Sequence, residues 1–131
     1  MKKSRHLVAA LALSLGMMCS MNLSASAREY ALIIPSPYAG SLQSTGLCQK
    51  TTNDTPYVKP RYVTISTNYF LSPFCENRTQ ATNIVTTNDT FKHSFTWQTG
   101  YGGIGGLYCL SAYPNVSGAY QKYNVEGTWS E

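Results

Sequence analysis

Downstream of residue 27 the apolar positions recur with a period of two, and no window carries an apolar stripe at the 3.6-residue spacing of a helix. Tyr30 to Ile34 is a short apolar run stopped by Pro35, which predicts a first strand. From Arg61 to Phe70, Val63, Ile65, Thr67 and Tyr69 fall on one face and Tyr62, Thr64, Ser66 and Asn68 on the other, which predicts a second. Pro60 suits the opening of that strand and not the interior of a paired central one, because it has no N–H to donate.

The most regular pattern lies in residues 81–98. Residues 82–87 and 90–98 read as the two arms of a hairpin turning at Asn88 and Asp89, with Phe91, His93, Phe95 and Trp97 on one face and Lys92, Ser94, Thr96 and Gln98 on the other. Residues 107–113, 119–125 and 128–130 predict further strands, punctuated by Pro114, Asn115 and Gly127. Residues 36–55 read as an extended loop carrying Cys48. The fold expected is all-β, a small β-sandwich or partly open β-barrel of about five to seven short, mainly antiparallel strands.

Two local sequences need a physical reading. Gly100, Gly102, Gly103, Gly105 and Gly106 lack the Gly-Lys-Ser/Thr ending and the following helix of a phosphate-binding loop, so they predict a bend or bulge between strands. Thr-Thr-Asn-Asp-Thr stands at residues 51–55 and again at 86–90, and its residue types predict two similar turns rather than a duplicated unit.

The first residues read differently. Lys2, Lys3 and Arg5 precede an apolar run from Leu7 to Met18, and Ala25-Ser26-Ala27 supplies small side chains at a cleavage site. We read 1–27 as a cleavable signal peptide and 28–131 as a single secreted β-domain, placed outside the cell or in a periplasm. The apolar run is well short of the roughly 20 residues a membrane helix needs, so no membrane span is expected. Cys19 at its end is preceded by Met18, a poor residue for a lipidation site.

Subtracting that segment changes the composition. Of ten Lys and Arg residues three leave, so seven face six Asp and Glu residues, and no basic run remains. The apparent basicity of the precursor is therefore no argument for a nucleic-acid partner. Cys19 leaves too, and Cys48, Cys75 and Cys109 remain as disulfide candidates in an oxidising compartment. Three cysteines allow one intramolecular pair, with all three pairings open, and the leftover thiol is either buried or linked to a second chain as a covalent dimer. Their wide spacing lacks the close pairs of a structural zinc site, and no metal or cofactor is expected.

Candidate chemistry is sparse. His93 is the only histidine after residue 27, and its neighbour Ser94 points to the opposite strand face. Asp54 and Asp89, at matching places in the repeated turn, and Glu76 are the carboxylates from which a small secreted hydrolase would draw its acid–base pair. Asn53, Asn77, Asn88 and Asn115 each begin an Asn-x-Ser/Thr sequence and are glycosylation acceptors only in a host that modifies exported proteins.

The remaining signal is diffuse. Ten tyrosines and two tryptophans sit among Asn, Thr and Ser with few charges, a composition suited to stacking on sugars or to protein contact. Tyr101, Tyr108, Tyr113, Tyr120, Tyr123 and Trp129 gather in the last third and are the candidate ligand-binding residues. The reading expected is an exported, non-enzymatic binding or adhesion module for a cell-surface glycan or an extracellular protein. A secreted hydrolase and a secreted enzyme inhibitor or antibacterial factor are the alternatives.

Overall fold

The computed structural model describes residues 27–35, 42–62, 64–115 and 122–131, and every regular element among them is a β-strand. Residues 1–26 of the predicted signal, Val63 and Tyr120 lie outside the described residues. The strands in chain order are β1 (Arg28–Ile34), β2 (Gln43–Ser44), β3 (Cys48–Gln49), β4 (Tyr57–Tyr62), β5 (Thr67–Ser72), β6 (Val85–Thr87), β7 (His93–Ser94), β8 (Leu107–Pro114) and β9 (Tyr123–Ser130).

They form two sheets, with all pairs antiparallel. The first has the order β1-β9-β4-β7, and the second has the order β2-β8-β5-β6 with β3 also paired to β8. The result is a β-sandwich and not a closed barrel, within the expected fold class. The strand number exceeds the expected range because β2, β3 and β7 are ladders of two residues each, too short to leave a periodic trace.

The core is what the two inward faces share. The first sheet contributes Tyr30, Ile34, Val58, Tyr123, Val125 and Trp129; the second contributes Tyr69, Leu71, Leu110 and Ala112, with Phe95 from the strand-free segment after β7. Burying an aliphatic side chain of this size is worth about 1.5–3 kcal/mol, so Ile34, Leu71, Leu110 and Val125, each fully buried, contribute about that much apiece beside the larger buried rings of Trp129 and Tyr69. Tyr30 and Tyr69 meet edge-on with ring centroids 6.0 Å apart, and burial pushes the Tyr30 hydroxyl up to about 12. Along β1 the alternation is clean: Arg28, Tyr30 and Ile34 are buried, while Glu29, Ala31 and Ile33 are exposed.

The ends of β1 and β9 are tied by a buried ion pair. Arg28 donates through Nε to Glu131 Oε2 at 2.9 Å and through a terminal nitrogen to Glu131 Oε1, with both side chains almost fully covered. The hydrogen bond to Glu131 raises the Arg28 pKa further above its ordinary value, against the opposing effect of burial.

Four expectations are corrected. The strand expected at 61–70 is two strands in different sheets, because the chain bends at Thr64 and Ile65 and passes from β4 in the first sheet to β5 in the second. Pro60 accordingly lies inside β4, opposite Gly127, and not at a strand opening. It is tolerated because β7 pairs only with Tyr57 and Val58, leaving that side of β4 open from Lys59 onward.

The hairpin expected at 81–98 closes only at its base. Thr82 and Trp97 form an isolated antiparallel bridge, with Asn83 N–H donating to Thr96 O at 3.0 Å and Gln98 N–H to Ala81 O at 2.8 Å. Beyond this point the arms part, β6 joining β5 in the second sheet and β7 joining β4 in the first. Phe91 therefore does not share a buried face with Phe95; it is 72% exposed whereas Phe95 is 3% exposed. Finally, Gly127 does not separate two strands but lies within β9.

The repeated Thr-Thr-Asn-Asp-Thr segments do make the same turn. Asp54 N–H donates to Thr52 Oγ1 at 3.4 Å, and Asp89 N–H donates to Thr87 Oγ1 at 3.1 Å, the equivalent residue in the second copy. The glycine-rich stretch is a bend as expected: Gly100, Gly102 and Gly105 have positive φ, and a Cβ on Gly102 would lie 2.5 Å from the Trp97 ring.

Candidate functional site

The outward face of the first sheet carries a cleft. It is an open cavity of about 660 Å³ lined by Lys59, Pro60 and Arg61 of β4, Thr128 of β9, and Thr90, Phe91 and Lys92 from the turn between β6 and β7. That volume lies within the range of small-molecule sites.

A bulge in β4 shapes its floor. Lys59 pairs with Thr128 and Pro60 with Gly127, but the next pair is Tyr62 with Glu126, so Arg61 is an extra residue on the β4 side. Such a bulge bends the strand and re-aims side chains. Here it turns both Arg61 and Tyr62 outward, and Tyr62 is 50% exposed. The bulge requires glycine opposite it: a Cβ at Gly127 would lie 2.2 Å from the Lys59 carbonyl oxygen and 2.9 Å from Pro60 Cα.

The opposite wall is set by Asp89. Its Oδ1 accepts from Phe91 N–H at 2.9 Å and lies 2.6 Å from His93 Nε2, which closes residues 89–93 into a tight turn. The bond to His93 is the main reason the Asp89 carboxyl is held below its ordinary value. The turn thrusts Phe91 into solvent and brings Lys92 Nζ to 4.2 Å from the Tyr57 ring centroid, a cation–π contact.

The cations differ in how they are balanced. Arg61 donates to Glu29 at 3.0 and 3.3 Å and to Glu126 at 3.3 Å, and the same hydrogen bonds raise its pKa and lower that of Glu29. Lys59 and Lys92 have no ion pair among the described residues. The exposed Phe91, these two lysines and two threonines thus line one opening. This set can stack on an apolar ring face, attract an anion and exchange hydrogen bonds with hydroxyls.

The described residues among those expected to bind from sequence, Tyr101, Tyr108, Tyr113, Tyr123 and Trp129, lie elsewhere and do not converge. Trp129, Tyr123 and Tyr108 are buried at 1%, 8% and 4% exposure and build the interior, where no ligand at the surface reaches them. Tyr108 packs on Trp97 with centroids 4.7 Å apart and accepts a hydrogen bond from Gly102 N–H, and Tyr123 shares a 3.1 Å hydrogen bond with Thr67. Tyr113 is half-buried between Phe70 and Arg78, whose guanidinium carbon lies 4.5 Å from its ring centroid. Tyr101 is 38% exposed on the glycine-rich bend. Tyr120 is outside the described residues.

Lys59, Arg61, Phe91 and Lys92, which line the cleft, are not among the binding residues expected from sequence. Lys59 and Arg61 are the nearest thing to a basic group after residue 27, yet the alternation gave no reason to expect Arg61 on a bulge, and it placed Phe91 inward.

The carboxylates considered for hydrolysis occupy separate turns. Asp54 accepts from Thr52 Oγ1 at 3.0 Å, Glu76 donates its backbone N–H to Ser44 Oγ at 2.8 Å, and Asp89 is engaged with His93. The depressed pKa of Asp89 is the opposite of what a general acid requires.

The three described cysteines are thiols in the structure, and no disulfide joins them. Cys48 packs against the core, Cys75 is exposed and Cys109 is buried. No family model, curated protein or solved structure matches the chain.

Proposed function

We propose that this protein is an exported, non-enzymatic binding module whose cleft on the first sheet takes an acidic saccharide at a cell surface. The observation that carries this reading is the cleft itself: Lys59 and Lys92, with no ion pair among the described residues, line it together with the exposed Phe91. The sugar's apolar face stacks on Phe91, its carboxylate or sulfate lies between the two ammonium groups, and Thr90 and Thr128 meet its hydroxyls. Arg61, already occupied by Glu29 and Glu126, helps hold the floor. The signal-like residues 1–27 supply the route to an extracellular ligand.

The test is binding of the purified chain to arrayed carboxylated, sulfated and neutral glycans, repeated with Lys59→Ala, Lys92→Ala and Phe91→Ala. A charge-assisted hydrogen bond is worth about 1.5–3 kcal/mol, so each lysine substitution should weaken binding roughly tenfold or more with the fold intact. Retention of neutral glycans only, or of acidic glycans undiminished by the lysine substitutions, rejects the reading.

A further inference from the structure

The fold sorts the cysteines that their spacing in the sequence leaves equivalent. Cys48 pairs across the ladder with Tyr108, and cross-strand partners project to the same side of a sheet. Tyr108 points inward to Trp97, and Cys48 likewise packs against the core, beside Arg28. Cys109 is the next residue along β8, so its side chain leaves the other face. There it lies with Ser72, its cross-strand partner on β5, and donates to the Ser72 carbonyl oxygen at 3.6 Å.

Residues 72–76 then fold back over this outward face. Ser72 Oγ donates to Phe74 O at 2.7 Å and accepts from Phe74 N–H at 3.2 Å, and Glu76 turns the chain with a φ of 55°. The return is anchored where Glu76 N–H donates to Ser44 Oγ at 2.8 Å, which itself lies 2.8 Å from Ser111 Oγ. Cys75 Sγ is thereby fixed 3.2 Å from Thr45 O, while Cys109 Sγ is 4.0 Å from Ser111 Oγ. Both thiols border the same cluster of Ser44, Thr45 and Ser111, Cys75 through the Thr45 carbonyl and Cys109 through Ser111, whose hydroxyl is bonded to that of Ser44.

The geometry points to Cys75 and Cys109 as the disulfide pair of this protein, formed after export, with Cys48 left as the remaining thiol on the opposite face of the sheet. The reaction is an exchange with a disulfide oxidant. Cys75, exposed, loses its proton and attacks one sulfur of the oxidant, whose other half leaves as a thiolate. Cys109 then gives up its proton and attacks the Cys75 sulfur, and the second half of the oxidant leaves. The protein loses two electrons and two protons, and one oxidant disulfide becomes two thiols. Burial, and next the contact with Cys75, push the Cys109 thiol up to about 12, so it is suited to the second step and not to the first.

The sequence makes the test direct, because trypsin places the three cysteines on three peptides: 29–50 with Cys48, 62–78 with Cys75 and 93–122 with Cys109. The full chain, whose Cys19 falls on a fourth tryptic peptide, 6–28, is incubated with oxidised glutathione, alkylated, digested without reduction and weighed. Peptide 62–78 joined to 93–122, with 29–50 alkylated, is the result expected. In the Cys109→Ser variant glutathione should remain on Cys75, and in the Cys48→Ser variant the crosslink should form as before. Peptide 29–50 joined to either of the others, or alkylation of all three cysteines after oxidation, overturns the assignment.

Discussion

Gly127 lies so close to Lys59 that a Cβ added to it would come within 2.2 Å of the Lys59 carbonyl oxygen. Gly127→Ala must push β4 off β9 at the bulge that forms the cleft floor. Overpacking of this kind costs about 1–3 kcal/mol, and urea unfolding should show a lower midpoint. The same variant should lose acidic-glycan binding beyond what its stability change explains, because Lys59 and Arg61 move with the strand.

Binding at the cleft should depend on salt. Lys59, Arg61 and Phe91 are exposed, and the Debye length shortens to about 3 Å at 1 M salt, so the ammonium contributions should fade. Titrations across ionic strength should show weakening in the wild type and a flatter response in the Lys59→Ala/Lys92→Ala double variant. Phe91→Ala should lower affinity while leaving the salt slope unchanged. None of these surface changes should move stability by more than about 0.5 kcal/mol.

Acid should loosen the wall of the cleft. The Asp89 carboxyl is held below its ordinary value of 3.8 by His93, then by the Phe91 and Thr87 bonds. A depressed carboxyl contributes stability that is fully present above its unfolded pKa, near 4, and is lost as pH falls through the lower folded value. Thermal melts of the wild type and of Asp89→Asn should therefore differ at pH 5 and converge as the pH drops well below 3.8. The amide that Asp89→Asn introduces keeps an oxygen for Phe91 N–H, which isolates the charge.

Removing one half of the Arg28–Glu131 pair should be severe. Both side chains are over nine-tenths covered, and an uncompensated buried charge costs about 3–5 kcal/mol. Glu131→Ala should show a loss of that order in denaturant unfolding. An Arg28→Met/Glu131→Leu chain, with neither charge, should recover most of it.

Oxidation should raise stability. Joining Cys75 to Cys109 closes a loop of 34 residues, for which chain entropy gives about 4 kcal/mol before any strain. Unfolding midpoints with and without reductant should separate in the wild type and coincide in Cys75→Ser.

The existence of β1 and β8 could be read from sequence because each is a short run of strand-forming residues, and both turn residues such as Tyr30 and Ile34 or Leu110 and Ala112 to the core. The alternation within β1 could not, since residues 30–34 are apolar throughout and Ile33 is exposed all the same. The repeated turn could be read too: Thr52 with Asp54 and Thr87 with Asp89 complete their bonds within three residues. What alternation cannot encode is which sheet a strand joins. Residues 61–70 and 81–98 keep their period on both sides of a crossing, so nothing local marks the bend at Thr64 or the parting of the arms beyond Thr82 and Trp97.

The candidate site was obscured by a related limit. Aromatic content identifies Trp129, Tyr123 and Phe91 as equally able to bind or to pack, and only the tertiary fold buries the first two and expels the third. Arg61 depends on a bulge, and that bulge depends on a glycine from a strand more than sixty residues away.

Pro60 has one more consequence. Beyond Val58 the flank of β4 has no strand partner among the described residues, and such a margin is where proteins stick to one another through their backbones. A proline there offers no N–H to a strand from another molecule, and the charges of Lys59 and Arg61 on either side discourage its approach. The residue that interrupts the ladder thus keeps the proposed cleft open and also disfavours backbone pairing with another molecule along this margin, in a protein whose regular elements among the described residues are all strands.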